Sequence, residues 1–500
     1  MATSTARAKQ ASKEAGRRPR REPMSRVDTA WLRMERPTNP MMITGVLMFS
    51  EPMTLARLKR VIRQRFLAYR RFRQRPVEGA TGAQWVDDAS FDLDWHVCLA
   101  GLPGKGGRAA DKKALERFAS QLASSPLDPT KPLWQFHLVE RYQGGSALVA
   151  RIHHCYADGI ALVQVLLSLT DTSREAAPGA RLDQAWLKQE AAPVARRVGA
   201  VDRYMKLGGK VLGQGMAMVQ DPSLAGLLAK EGGEIARELV HALALPDDPP
   251  SLLRGRLGVS KRVAWAEPVS LEEVKAVGRA CGCTVNDVLM AAAAGALRGY
   301  MLERGEALEG MTLRATVPVN LRPLEHARKL GNHFGLVFLE LPVGEDNPLR
   351  RVERVAACMD QLKGSRQAIV AYGLLAALGI APPPLQELAL EMFSRKASAV
   401  ATNVPGPQQP LYMAGCPVRE MMFWVPQTGS IGLGLSILSY RGRVHFGLMS
   451  DARLIPDPDA VIRRFGAEFE TLLYLSLMAD WSRHLDAAGA RALLPGETPA

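Results

Sequence analysis

The sequence predicts an α+β protein built as two lobes with mixed sheets, joined by a helical crossover. Three observations point there. At 500 residues the chain is too long for one ordinary core. Strand-like and helix-like patterns follow one another in both halves without the regular strand-helix-strand repeat of a parallel sheet. Between about Asp171 and Gly258 no strand pattern occurs, only helical segments such as Gln184 to Gln189 and Ala225 to Leu243, broken by Pro and Gly. The expected division is a basic, disordered tail over 1–24, an N-terminal lobe over 25–175, a crossover over 176–258 and a C-terminal lobe over 259–500.

Residues 1–22 are mostly Ala, Ser, Lys and Arg, with too little apolar surface to fold, though able to be drawn to an anionic membrane. Met24 to Glu35 opens the folded part and leads into a strand at Met41 to Ser50. Thr54 caps an amphipathic helix that places Leu55, Leu58, Ile62, Phe66 and Tyr69 on one face. Extended pieces at Phe72 to Val77, Ala83 to Asp87 and Asp92 to Leu99 follow, then a Gly-rich surface loop and a helix from Asp111 to Ser124. Leu133 to Tyr142 and Ala147 to His154 form a hairpin around Gln143-Gly144-Gly145-Ser146. A helix from Ile160 to Thr170 comes next, with Asp158 placed to cap it.

The second lobe begins near Val259. Ser270-Leu271-Glu272-Glu273 is a capping box, and a second helix starts at Thr284 with Asn286 and Asp287 in its first turn and runs to about Leu302. Strands at Thr312 to Leu321 and Phe334 to Val343 precede helices at Asn347 to Gln367 and Leu385 to Lys396. The end is β-rich, with Ser398 to Asn403, Val418 to Pro426 and a hairpin Gly434 to Tyr440 / Arg443 to Met449, closed by a helix from Asp459 to Leu475. Asn403 to Pro407 reads as a structural turn.

Composition narrows the function classes. Hydrophobic residues make up 47% and charged residues 23%, a globular balance. The six cysteines show neither a disulfide framework nor a zinc spacing, so core thiols in a reducing cytoplasm are expected. The N-terminus has no apolar signal region. The longest uncharged apolar run, Ala368 to Ala381, has 14 residues, short of the roughly 20 that cross a bilayer. The net charge of +14 fits an anionic partner such as a lipid surface, or merely keeps the protein soluble; the charges are dispersed and no nucleic-acid reader motif accompanies them.

Chemistry concentrates in Arg151-Ile152-His153-His154-Cys155-Tyr156-Ala157-Asp158-Gly159. Two imidazoles stand at a rigid strand end beside a carboxylate at a helix start. An imidazole with an ordinary pKa of about 6.5 can take a proton from a hydroxyl near neutral pH. Adjacent strand residues point to opposite faces, so His153 and His154 are poorly placed to share a metal ion, and no metal is expected.

His153-His154-x-x-x-Asp158-Gly159 resembles the active-site motif of acyltransferases built like chloramphenicol acetyltransferase, and further stretches narrow the likeness. Pro132-Leu133-Trp134, Asn286-Asp287-Val288, Pro318-Val319-Asn320-Leu321-Arg322, Gly331-Asn332-x-Phe334 and Thr402-Asn403-Val404-Pro405-Gly406-Pro407 resemble, in order, motifs of the bacterial wax ester synthase/diacylglycerol acyltransferases. The likeness runs from about Ser25 to Leu475. Met42 stands where many members have His, and Thr402 where Ser is usual. The resemblance implies a two-lobed chloramphenicol acetyltransferase-like fold with the histidine in a tunnel between the lobes, entered by acyl-CoA from one side and a hydroxyl acceptor from the other. It implies His154 as general base, with His153 packing and orienting. It also implies a buried pair between Asp158 and Arg322, beside the cap that Asp158 already makes. Asn286 either helps to hold the developing oxyanion or only fixes its helix. Pro132, Leu133 and Trp134 are expected as packing or as wall of the substrate tunnel rather than as chemistry, Asp287 is expected along the tunnel, and Gly159 completes the motif.

The expected activity is transfer of a long-chain acyl group from acyl-CoA to a long-chain alcohol or diacylglycerol, giving wax ester or triacylglycerol at a membrane or lipid-droplet surface. Acyl-CoA is a substrate, and no cofactor is expected. One rival is a carrier-protein-dependent condensation or ester-forming acyltransferase of the same fold; another is a non-catalytic lipid-droplet protein. The absence of any Gly-x-Ser-x-Gly elbow favours direct attack on the thioester over a serine acyl-enzyme.

Overall fold

Alternation with period two in Met42–Phe49 sets the first sheet: Val46 and Met48 face one core, Ile43, Leu47 and Phe49 another, and the whole strand is buried. In the computed structural model, which describes residues 20–79, 82–104, 109–175, 244–321 and 330–479, this strand lies in the middle of a seven-stranded sheet. Across that sheet the order is Val97–Leu99, Trp134–Tyr142, Gly145–His153, Met42–Phe49, Cys416–Trp424, Tyr412–Met413 and Thr170–Asp171. The hairpin within it turns at Gln143 and Gly144, both with positive φ, as a two-residue turn matched to strand twist requires.

One strand crosses the expected lobe boundary. Cys416–Trp424, from the C-terminal half, pairs antiparallel with Met42–Phe49, with Trp424 opposite Thr44. The boundary at 259 therefore does not separate the sheets. An apolar strand needs both faces covered, and the N-terminal sheet supplies an open edge for it.

The second seven-stranded sheet contains Val269–Ser270, Arg443–Asp451, Leu433–Tyr440, Ala399–Pro405, Leu313–Asn320 and Phe334–Leu341 in that order, with Lys261–Trp265 also on Arg443–Asp451. Ala399–Pro405 runs parallel to both its neighbours, and the other pairs are antiparallel, so the sheet is mixed. Helix Val285–Leu302, with its buried Ala291 to Ala294, packs behind this sheet together with Pro458–Met478. Its start is a true capping box, in which the Thr284 side chain and Asp287 satisfy each other's backbone N–H.

Several expectations shift in detail. Arg21–Pro23 forms a short strand against Gly82–Asp87, so part of the expected tail is built into a three-stranded sheet. Asp92 caps a short helix, Leu93–His96, where an extended piece was expected. The expected crossover helices lie at 176–243, outside the described residues. After them Asp248 anchors the chain to the second sheet, accepting from Arg314 Nε at 2.8 Å and the Ser398 hydroxyl at 2.7 Å.

Candidate active site

The Gly145–His153 strand ends where His153 stands opposite Met42, and the next amide, His154 N–H, donates to Met41 O at 2.7 Å. The chain then turns, and Asp158, with extended backbone angles, opens helix Gly159–Leu167 by accepting from Ala161 N–H at 2.8 Å. This is the cap expected from the sequence. Between them Tyr156 locks the loop from below: its hydroxyl donates to Gln74 O at 2.7 Å and accepts from Leu133 N–H at 3.0 Å.

The other half of the molecule closes the loop from above. Gly331, at φ +112°, donates to Tyr156 O and accepts from Asp158 N–H; that backbone conformation suits glycine. Asn332 Nδ2 donates to His154 O at 2.9 Å and to Asp28 Oδ1 at 2.8 Å. His333 N–H donates to Asp158 Oδ2 at 3.1 Å. Asp28 is buried, and that burial raises its carboxyl pKa while the bonds from Asn332 oppose the rise. The motif loop is thus clamped between residues 28 and 332, more than 300 positions apart in sequence.

The two histidines do different work. Cys155 N–H donates to His153 Nδ1 at 3.1 Å, which makes that nitrogen an acceptor, so Nε2 carries the hydrogen and donates to Glu35 Oε2 at 3.1 Å. His153 is spoken for on both sides. His154 instead stacks on Trp31, centroid to centroid 4.1 Å, with Phe334 at 5.6 Å. Its Nδ1 is buried without a hydrogen-bond partner among the described residues. Burial pushes the His154 pKa down from 6.5 to about 4, against the opposing pull of the Asp158 carboxylate. The ring is therefore neutral, and a proton acceptor, across the physiological range.

A cleft of about 700 Å³ lies over His154, walled by Asp158 and Gly159 on one side and by Pro318, Phe334, Thr402 and Asn403 on the other. A second, more apolar cavity of about 860 Å³ shares Trp31, Thr316, Leu336 and Thr428 with the first and continues between Leu374, Leu378, Leu390 and Phe393. The ring thus sits where the two halves of the chain meet, in a cleft of mixed lining that adjoins a more apolar cavity.

Other residues expected at the site lie elsewhere. Trp134 is fully buried in the N-terminal core, its indole N–H donating to Phe72 O at 2.8 Å, and Pro132 and Leu133 pack with it; none of the three lines either cavity. Asp287 is consumed by the capping box, where it accepts from Thr284 N–H and Oγ1 at 2.8 and 2.7 Å. Asn286 is exposed at the rim and accepts from Asn403 Nδ2, so it reaches the cleft only through Asn403. Arg322, the expected partner of Asp158, lies outside the described residues. Asn403, expected where a strand ends and a structural turn begins, lies within strand Ala399–Pro405, which runs on to Pro405, and faces the cleft.

A family model described as the wax ester synthase/diacylglycerol acyltransferase catalytic domain matches residues 24–289, and one described as the WS/DGAT C-terminal domain matches residues 330–473. The chain belongs to the wax ester synthase/diacylglycerol acyltransferase family. Among relatives, a probable diacylglycerol O-acyltransferase, tgs1, of Mycobacterium tuberculosis (strain ATCC 25618 / H37Rv) is 29% identical over 402 residues, covering 79% of this chain and 81% of the relative. A second from the same strain, tgs2, is 29% identical over 445 residues, covering 86% and 94%. The solved wax ester synthase/diacylglycerol acyltransferase from Marinobacter aquaeolei VT8 has the same fold, with a TM-score of 0.63 at 22% identity, covering 91% of this chain and 100% of that one. The first condensation domain of the calcium-dependent antibiotic synthetase also shares it, with a TM-score of 0.57 at 16% identity over 92% and 97%. This acyltransferase thus has the two-sheet fold common to both groups, as the motif order implied.

Sequence reasoning missed Trp31, Glu35, Asn332 and Asn403 as parts of the site. Trp31 and Glu35 sit in a segment read only as the opening of the fold, and Asn332 was visible only as a motif letter. The helix Arg26–Arg33 carries a usable signal, since it is capped by Ser25, charged on one face and holds a lone Trp. Nothing local says that this Trp covers an imidazole.

Proposed function

We propose that this acyltransferase carries a long-chain acyl group from acyl-CoA to the hydroxyl of a long-chain alcohol or a diacylglycerol, giving wax ester or triacylglycerol. The reading rests on one observation: a neutral imidazole, His154, lines a cleft that adjoins a second, largely apolar cavity. In the step proposed, His154 Nε2 takes the hydroxyl proton and the acceptor oxygen attacks the thioester carbonyl carbon. The resulting tetrahedral species expels the thiolate as the C–S bond breaks, and the imidazolium returns its proton to sulfur. Atoms balance with two substrates and one base, so no resident cofactor enters. General-base help of this kind is worth roughly 10²–10⁴-fold.

Around the base, His153 and Asn332 are positioning residues, and Asp158 holds the loop and helix in register while its charge faces the imidazolium formed in transit. Asn286 orients Asn403 at the rim. The protein would work in the cytoplasm, at a membrane or lipid-droplet surface where both lipophilic substrates collect.

Purified protein incubated with palmitoyl-CoA and either hexadecanol or dioleoylglycerol should release one thiol per ester formed. Absence of ester with both acceptors, in protein shown to be folded, would overturn the reading. The pH profile gives a second check. Because the folded pKa of His154 is lowered to about 4, the base stays competent well below pH 6.5. The acid limb of kcat/KM should lie near pH 4 to 5, and a limb at about 6.5, the ordinary histidine value, would contradict a buried neutral base. Stability runs with the same sign: below about 6.5 the unfolded chain binds a proton that folded His154 refuses, so stability is lost as pH falls toward 4. Rates should therefore be initial rates, with folding followed by circular dichroism.

A further inference from the structure

Two of the six cysteines meet each other outside the cleft. Cys281-Gly282-Cys283 joins helix Leu271–Ala280 to helix Val285–Leu302, and the two helices lie at 96° to one another. The turn between them is fixed by the main chain: Cys281 N–H donates to Val277 O at 2.9 Å, Gly282 N–H to Arg279 O at 3.3 Å and Cys283 N–H to Gly278 O at 2.8 Å. The last two are the paired bonds that close a helix on a left-handed residue, and Gly282 takes that conformation at φ +65°. The reversal leaves the two thiols hydrogen-bonded to each other and half-buried, where core thiols were expected.

The other four cysteines are arranged differently. Cys98 donates to Trp95 O at 3.4 Å and Cys416 to Pro52 O at 3.5 Å, Cys155 is fully buried, and burial raises the Cys358 pKa. Between Cys281 and Cys283 the hydrogen is shared unequally. The bond from Cys283 lowers the Cys281 pKa, against burial and the charge of Glu353, and the same bond raises that of Cys283. Cys281 therefore ionises first, and Cys283 holds its hydrogen until its partner has reacted. That is the division between an attacking and a resolving thiol.

We infer that Cys281-Gly282-Cys283 is a reversible redox site that takes its oxidising equivalents from a low-molecular-weight disulfide. The Cys281 thiolate attacks one sulfur of R–S–S–R, so that a mixed disulfide forms and one thiolate leaves. Cys283 then loses its proton to solvent and attacks Cys281 Sγ, which expels the second thiolate. The protein gives up two electrons and two protons, and the small disulfide becomes two thiols. Because the turn is half-exposed, the bond is readily reduced again. Closing it pulls on Cys283 directly before the Thr284–Asp287 capping box and Asn286, which accepts from Asn403 at the rim of the cleft. Oxidation therefore disturbs that rim and slows esterification. This effect rests on the acyltransferase reading, whereas the disulfide does not.

The test uses the full folded chain, treated with glutathione disulfide, then denatured in iodoacetamide and digested with trypsin. Both cysteines fall in one peptide, 280–298, which holds no other. In the wild type that peptide should lose two hydrogens and take no alkyl group, and dithiothreitol should restore both thiols, while Cys358 stays a free thiol throughout. Cys283→Ser should stop at a glutathione adduct on Cys281, and Cys281→Ser should take up none. Two alkylated cysteines in the wild-type peptide, a bond formed only after unfolding, or an adduct that collects on Cys283 overturns the inference. Initial rates of hexadecanol esterification should fall on oxidation of the wild type, return with dithiothreitol, and stay level in Cys281→Ser. Rates that do not change while the disulfide forms overturn the link to the rim and leave the redox site in place. If no acceptor is esterified and peptide 280–298 still closes as stated, the acyltransferase reading fails alone.

Discussion

Replacing His154 with Ala should lower kcat/KM for palmitoyl-CoA and hexadecanol by about 10²–10⁴-fold, the range that general-base assistance supplies, while the protein stays folded. The bonds that hold this position in the loop belong to its main chain: His154 N–H to Met41 O, and Asn332 Nδ2 to His154 O. They survive truncation of the ring. What is lost is the stack on Trp31 and the imidazole proposed to take the hydroxyl proton. His153→Ala should show the opposite balance. Its ring joins Glu35 to the Cys155 amide, so removing it leaves a buried N–H without a partner and lowers the melting temperature more than the rate. Near-normal turnover in the His154 variant, or a larger rate loss in the His153 variant, would place the base elsewhere.

The largest stability effect is expected far from the site, at Lys261 and Asp451. Lys261 Nζ lies 2.9 Å from Asp451 Oδ2, both side chains are buried, and the same carboxylate accepts from Gly258 N–H and Arg453 N–H at 2.9 Å. Burial lowers the lysine pKa and the carboxylate pulls it back up. This pair fastens the chain as it re-enters the second sheet at Lys261–Trp265. Asp451→Asn leaves a buried ammonium without its counter-charge and should cost about 3–5 kcal/mol, read as a clear drop in the melting temperature. The double change Lys261→Met/Asp451→Leu removes both charges and should recover much of that loss. A double variant less stable than Asp451→Asn would mean that the carboxylate's backbone bonds, rather than the ion pair, hold the strand.

Local rules carried most of the elements. Alternation placed Met42–Phe49 and the Trp134–Tyr142/Gly145–His153 hairpin, and capping chemistry placed the starts of the helices at Asp158, Ser270 and Thr284. The His153 to Gly159 loop was legible because its strand, turn and cap are all contiguous. What was not legible depends on pairing across hundreds of residues. Strand Cys416–Trp424 is easy to see as a strand, yet its partner in the N-terminal sheet is set by an open edge that no local pattern records. Trp134 looks like a tunnel wall in a motif, but the stack on His96 and the bond to Phe72 O make it core. Asp287 carries a charge that suggests chemistry, and the capping box uses it for structure. The strand expected to end at Asn403, because Pro405 and Gly406 follow it, runs on through Pro405 and carries Asn403 to the cleft.

The central claim is that a buried neutral imidazole activates the acceptor for direct attack on the thioester. The measurement closest to it is a rapid-quench experiment with acyl-labelled palmitoyl-CoA, run with and without alcohol, following free thiol and protein-bound label. Direct transfer predicts no burst of thiol and no labelled protein until alcohol is added, after which thiol and ester appear together. A stoichiometric burst of thiol in the absence of alcohol, with label retained on the denatured chain, would contradict it.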